Sequence, residues 1–339
     1  MVSVKKFISS NFTKTFLTIF LPIFLIISLI YLVKISSLTS KIQLSFGEIF
    51  QLYSYSIPDI IFYTLPVSFI IALANVLLKL SQSNELIALY ALGMNSHKIL
   101  RSFLLLGILF SLLLATISFL GMPLSKQLLK EFKSSKKAEA KLNIVAGKLG
   151  QKFGNYYIYV KENKKDTFKD VVIYNRTKKD EEQFFSSQEG KVNKVNNITS
   201  LQLRDGYGYT YNKDKLQQAK YKSLEVYDTP KNKAFHFEDI VSHWSKASTN
   251  LKMLHRVLFF IFVSLIPLLS VYFVAAFTMI NPRYQTGYSF LVMSLTTLGL
   301  YIIASSLEKW GTFPLLFVVI LMVLLLGIWV FKKRVIRYF

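Results

Sequence analysis

Six stretches of the chain run for about 19 to 24 residues almost free of charge: Thr15–Val33, Ile57–Leu78, Ser102–Leu120, Val257–Ile280, Tyr288–Leu307 and Thr312–Phe331. At 1.5 Å per residue, about 20 apolar residues in a helix cover a hydrocarbon core of about 30 Å. One charge, Asp59, falls inside a run, close to its end. With 52% hydrophobic residues over 339 positions, and those residues clustered, an ordinary soluble domain is excluded. The pattern predicts an α-helical membrane protein with six transmembrane helices.

The first run is longer than a signal-peptide core of about 7–15 residues, and "SLTSKI" after it lacks a small-x-small cleavage site. The chain is therefore read as keeping this helix. It has no cysteine, which excludes disulfides, thiolate metal sites and cysteine catalysis. Orientation follows from the basic residues near the helix ends. With a cytoplasmic N-terminus, the inside segments carry eleven lysines and arginines, Lys5 to Arg337, and the short outside segments carry three, Lys34, Lys41 and Lys309. The bias predicts a multi-pass inner-membrane protein with both termini cytoplasmic.

The helices fall into two groups of three around a long outside insertion. The expected domains are 1–121 (three spans, with a short cytoplasmic helix near 84–93), 122–252 (an outside all-β domain) and 253–339 (three spans). In the insertion, "NYYIYVKE" (155–162), "FKDVVIYNR" (168–176), "SLQLRDGYGYTYN" (200–212) and "SLEVYD" (223–228) show the alternation or the β-branched and aromatic enrichment of strands. Asp205-Gly206 reads as a hairpin turn, and several short strands with polar turns suggest a sandwich or jelly roll. From Gly121 to His255 there are 26 lysines and arginines against 15 acids. That surplus is either a plain solvated surface or a surface for an anionic partner such as lipid phosphates. No nucleic-acid-binding module is present.

Motifs for chemistry are missing. There is no G-x-x-x-x-G-K-[ST] loop for ATP, no H-E-x-x-H and no G-x-S-x-G elbow. The histidines His97, His236, His243 and His255 lack metal-ligand spacing. The expectation is a protein that is not an enzyme and binds no metal or cofactor of its own.

One stretch is unlike a simple membrane-crossing loop: "SQSNELIALYALGMNSHKIL", Ser81–Leu100. Ser81 or Ser83 suits the cap of a short helix starting near Asn84, Gly93 its end, and Ser96 the cap of the next helix. Ile87, Tyr90, Ala91 and Met94 recur at helical spacing as one apolar stripe. A helix resting in lipid headgroups usually carries Lys and Arg on its polar face. This one offers Glu85, which favours a cytoplasmic protein partner.

"SNELIALYALGM", with a glycine eight residues after its acid, resembles the coupling helix of the LptF/LptG permeases of the lipopolysaccharide export ABC transporter. The resemblance extends to six spans with a β domain between the third and fourth. "MINPRYQTG" and "LQLRDG" lean towards the LptF branch. It implies a half-transporter that pairs with a second LptF/LptG-type permease, docks an LptB-like ATPase dimer that uses the ATP, and passes lipopolysaccharide from the membrane to LptC/LptA-like periplasmic jelly-roll proteins. Under it, Glu85, Ile87, Tyr90, Ala91, Gly93 and Met94 form the ATPase-coupling face. Lys34 and Lys41 meet lipid phosphates where simple snorkelling is the alternative. Pro22, which like Pro66 and Pro267 removes a helix hydrogen bond, shapes a gating first helix. Two rivals stay open: a permease for lipoproteins or another amphiphile, and a membrane scaffold with no transport path.

Overall fold

The structure is a computed structural model describing residues 4–39, 44–142, 144–153, 156–164, 167–178, 181–195, 198–212, 215–227, 237–280 and 289–336. Two compact units emerge. One comprises Met1–Ser40, Leu44–Leu129 and Phe237–Phe339, the other Lys41–Gln43 and Lys130–His236.

The first unit is helical: α1 (Val4–Thr39), α2 (Phe46–Ser54), α3 (Ile57–Gln82), α4 (Glu85–Ala91), α5 (Ser96–Thr116), a π-turn (Ile117–Gly121), the first part of α6 (Met122–Leu142), whose residues from Lys130 on belong to the second unit, α7 (Ile240–Ser245), α8 (Leu251–Thr278), α9 (Ser289–Trp310) and α10 (Phe313–Phe331). Six of its helical stretches are long and apolar enough to cross a membrane: Lys5–Ser37, Ile57–Gln82, Ser96–Lys133, Leu251–Thr278, Phe290–Trp310 and Phe313–Ile336. Each overlaps one of the six uncharged runs. Helix is the form these runs must take, because hydrocarbon offers no partner for an unpaired N–H or C=O.

The six are not equivalent. The apolar windows of α3 and α8 are 72% buried, against 11% for α1 and 17% each for α9 and α10. Between apolar helices in lipid the hydrophobic effect gives little, so close packing decides which helices sit inside. Small residues permit that approach. A Cβ on Gly107 of α5 would lie 3.2 Å from the Leu268 backbone of α8, and one on Gly327 of α10 would lie 3.1 Å from Tyr272. Buried hydroxyls meet across the same seam, with Ser118 and Ser264 Oγ atoms 3.3 Å apart. Phe12, Phe69, Phe103 and Phe110 stack into an aromatic knot between α1, α3 and α5. Where the chain leaves and re-enters the bundle, the Gln127 amide clasps the Glu238 backbone through hydrogen bonds of 3.1 and 2.9 Å. Nearby, the Trp244 indole N–H donates to the Phe119 carbonyl at 2.9 Å.

The sequence reading had no place for α2. It begins with a reciprocal cap, Ser45 with Glu48, whose carboxylate accepts from the Ser45 N–H at 2.8 Å. This S-x-x-E pattern is legible in the sequence. The Tyr53 hydroxyl then donates to Ser28 Oγ of α1 at 3.0 Å.

The second unit is the expected β domain. Strands β1 (Gln151–Phe153), β2 (Tyr156–Lys164), β3 (Thr167–Lys178), β4 (Glu181–Val195), β5 (Ile198–Asn212) and β6 (Lys215–Tyr227) form one antiparallel sheet in sequence order. β4, rich in Ser, Gln and Glu, was missed from the sequence. Asp205-Gly206 is not a hairpin turn, because it lies inside the 15-residue β5. Asp205 has φ 50° and Asp170 of β3 has φ 51°, a left-handed conformation that Asp tolerates better than most residues. The ladder skips one residue per strand along a line through Lys161, Asp170, Gln188, Asp205 and Lys222. Along that line the burial pattern slips phase. Phe168 and Val171 are buried around exposed Lys169 and Asp170, and Leu203 and Gly206 around exposed Arg204 and Asp205. The crease thus keeps one face inward on both sides, and Ile158, Val160 and Ile173 join Phe168, Leu201 and Leu203 in a single core. Gly206 is required there, since a Cβ would collide with the Ser186 carbonyl and lie 2.5 Å from the Tyr221 hydroxyl. That hydroxyl crosses the vacant space to donate to the Ser186 carbonyl at 3.0 Å.

Candidate functional site

The short helix α4 is built by its ends. α3 continues through Gln82, so Ser81 belongs to its last turn and neither Ser81 nor Ser83 caps α4. Asn84 takes that place with φ 60° and without a side-chain cap. At the other end Gly93 adopts φ 77°. Its N–H reaches the Tyr90 carbonyl at 2.9 Å and the Met94 N–H reaches the Leu89 carbonyl at 3.2 Å. These two bonds make a Schellman stop, which needs a left-handed residue and so favours glycine. Asn95, not Ser96, is the residue before α5. Ser96 instead places its hydroxyl 3.1 Å from the Tyr90 phenol. Burial raises the Tyr90 pKa above the usual tyrosine value, and the Ser96 contact offsets part of that.

The inward stripe of α4 differs in phase from the expected one. Leu86 is 1% exposed, and Leu89, Tyr90 and Met94 pack on the helical core. Ile87 is half-buried, while Ala88, Ala91 and Gly93 face outward and Leu92 is 77% exposed. Glu85 is half-buried and, among the described residues, makes no ion pair. The expected set Glu85, Ile87, Tyr90, Ala91, Gly93 and Met94 therefore divides. Tyr90 and Met94 help to seat the helix, Gly93 ends it, and Glu85 and Ala91 with the unforeseen Leu92 border the open face. The reason is geometric: an exposed stripe and a seating stripe on so short a helix differ by a single residue of rotation.

A second group of candidate residues lies at the α2 end of the bundle. Lys34 is exposed on α1, its ammonium 5.7 Å from the centre of the Tyr31 ring. Asp59, the one charge within a predicted run, has an Oδ1 that is buried without a hydrogen-bond partner among the described residues. Lys126, Lys34 and Arg256 lie close enough to act on its charge. The sequence reading missed Lys126 and Arg256 as its companions; three elements distant in sequence bring them together. An ionisable side chain inside a span marks a functional position more often than a structural one. Pro22 is exposed on α1, which continues through it as one helix. Lys41 lies outside the described residues, as does most of "MINPRYQTG". No cluster of metal-ligating side chains occurs among the described residues.

The arrangement offers an exposed apolar face with an acid at one end of the bundle and, at the other, a buried carboxylate within electrostatic reach of three cations. No curated protein sequence matches the chain significantly. The family model described as "Lipopolysaccharide export system permease LptF/LptG" matches residues 6–333, spanning both groups of helices and the β domain between them. The chain belongs to the LptF/LptG family of lipopolysaccharide export permeases.

Proposed function

We propose that this chain is one permease of a heterodimeric ABC exporter, of the LptF rather than the LptG branch. It extracts lipopolysaccharide or lipooligosaccharide from the inner membrane and hands it to a periplasmic bridge for outer-membrane assembly. A second LptF/LptG-type permease completes the membrane cavity. An LptB-like ATPase dimer supplies ATP hydrolysis from the cytoplasmic side, and LptC/LptA-like jelly-roll proteins receive the lipid from the β domain. The termini are then cytoplasmic, which agrees with the distribution of basic residues.

The observation that carries this reading is α4: a seven-residue helix, stopped by Gly93 and seated by Leu86, that keeps Glu85, Ala91 and Leu92 open for a partner. In the exporter it is the docking helix for the ATPase, and α3, continuous with its base, receives the force. At the opposite end Lys34, with Lys126 and Arg256, answers the phosphates of the lipid. A phosphate gains more from an ammonium where the dielectric is low than in open water.

The test is reconstitution of the permease pair with the ATPase in proteoliposomes. Wild type should release lipopolysaccharide to a periplasmic acceptor only with ATP, and Glu85→Lys, which reverses the charge at the helix N-terminus, should lose both ATPase retention and release. Release unaffected by Glu85→Lys would remove α4 from the mechanism. Release of lipoprotein in place of lipopolysaccharide would assign the rival substrate.

A further inference from the structure

The helix that carries α4 is fastened to another span at the end next to α4. Ser81, fully buried in the last turn of α3, donates its one hydroxyl proton to the Leu77 and Thr278 carbonyls, each at 2.9 Å. The same oxygen accepts from the Ile280 N–H at 3.3 Å. Both α8 groups lie where the helix ends and its own ladder runs out: the Thr278 carbonyl is among the last four, and Ile280 is past the final turn. One side chain of α3 thus satisfies backbone groups on both sides of the α8 exit.

Leu73, Leu77 and Leu80 of α3 and Val271, Val274 and Ala275 of α8 belong to one apolar core. Dispersion contacts of this kind fix how close two helices lie but are nearly indifferent to a small axial slide. A hydrogen bond is directional and short-ranged, so it fixes the slide as well. Ser81 is four residues before Glu85, separated from α4 only by Gln82, Ser83 and Asn84.

We propose that Ser81 is a positioning residue for energy coupling: its hydroxyl locks the end of α3 to the end of α8, so that force on α4 moves the two central helices as one body. The proposal rests on α4 being the ATPase docking helix. In this scheme the relative motion that opens the cavity falls to the less buried helices α1, α9 and α10, and α3 does not slide along α8.

The chain has no cysteine, so an engineered pair reports without background. Positions 81 and 280 meet through the 3.3 Å contact between Ser81 Oγ and the Ile280 N–H, and a disulfide between them requires Cα atoms within about 7 Å. In the reconstituted complex, oxidised Ser81→Cys/Ile280→Cys should transfer lipid with ATP at the rate of its reduced form. Ser81→Ala should retain the ATPase and hydrolyse ATP at the wild-type rate, while lipid transferred per ATP falls roughly tenfold, because Thr278 and Ile280 lose their shared partner. Two results would overturn the joint: a cross-link that forms and stops transfer, or Ser81→Ala with wild-type transfer per ATP. A fall in ATP hydrolysis parallel to transfer would also overturn it, since that marks a general structural role. A wild-type permease that retains no ATPase would instead refute the docking reading, and the cross-link, which forms without the ATPase, keeps the two failures distinct.

Discussion

Two leucines separate the seating face of α4 from the open face proposed for docking. Leu92 caps the helix with its side chain 77% exposed, and Leu86, six residues earlier, is 1% exposed. Moving a whole leucine side chain out of water contributes about 1.5–3 kcal/mol. Leu92→Ala keeps the Cβ, so the loss on docking is about 1.5–2 kcal/mol, or roughly a 10- to 30-fold weaker Kd for the ATPase. Its backbone is ordinary, with φ −80°, and Gly93 still makes the helix stop, so the permease itself should be unaffected. Leu86→Ala is the opposite perturbation. It empties a packed site beneath α4 at a cost of about 2–5 kcal/mol, which falls on the permease and loosens the helix before any partner arrives. The assay is titration of the purified ATPase against the permease pair in nanodiscs, with thermal unfolding of the permease alone in parallel. Leu92→Ala should shift Kd and leave Tm in place, and Leu86→Ala should lower Tm. Wild-type ATPase affinity in Leu92→Ala would refute the claim that the open face of α4 is the docking surface.

Three other outcomes follow from particular contacts. Lys34→Ala should weaken binding of a phosphorylated glycolipid more than that of its dephosphorylated form in a lipid-binding assay, whereas simple snorkelling predicts equal effects. Gly206→Ala drives a methyl into the Ser186 carbonyl and the Tyr221 hydroxyl; it should cost about 3 kcal/mol or more, read as lost protease resistance of the β domain. Burial pushes the Tyr221 phenol up to about 12 from 10.0. The folded form therefore holds its proton more tightly than the unfolded form, and this stability is complete below pH 10 and lost as pH rises towards 12. Tyr221→Phe should flatten that alkaline decline in a circular-dichroism titration.

The membrane spans were legible because hydrocarbon leaves a chain a single option: about 20 apolar residues, folded as helix. Which spans would be central was not legible. α1 and α8 look alike in hydropathy, and burial sets α8 apart only through partners such as Gly107, Gly327 and Ser118 on other elements. The docking stretch shows the same limit at closer range. Glu85 and Gly93 were readable as the start and stop of a helix, since caps are local chemistry. The orientation of that helix was not, because Leu86 and Ile87 are equally apolar and only the core beneath α4 chooses Leu86. Ser81 was noted for a capping role that the structure gives to Asn84. Its actual partners, Thr278 and Ile280, lie nearly 200 residues away in sequence, and no local pattern announces them.

The β domain misled the reading for a different reason. Strict alternation assumes a straight strand, and a crease changes the phase in the middle, so a creased strand looks like two strands with a turn between them. Asp205-Gly206 invited that error because a left-handed aspartate followed by glycine serves a hairpin and a crease equally well. What distinguishes the two is recurrence. "FKDV" at 168–171 and "LRDG" at 203–206 share one arrangement, an inward apolar residue, an exposed base, a left-handed aspartate and a second inward residue. A turn would have no reason to repeat it in another strand. A crease has to, because every strand crossing the fold line must slip phase at the same height. In β3 and β5 that slip falls on an aspartate, while in β4, between them, it falls on Gln188 and Glu189 ahead of the inward Gly190. Repetition of the irregularity was therefore the readable sign, and it identifies one bent sheet where alternation alone gives a set of short straight ones.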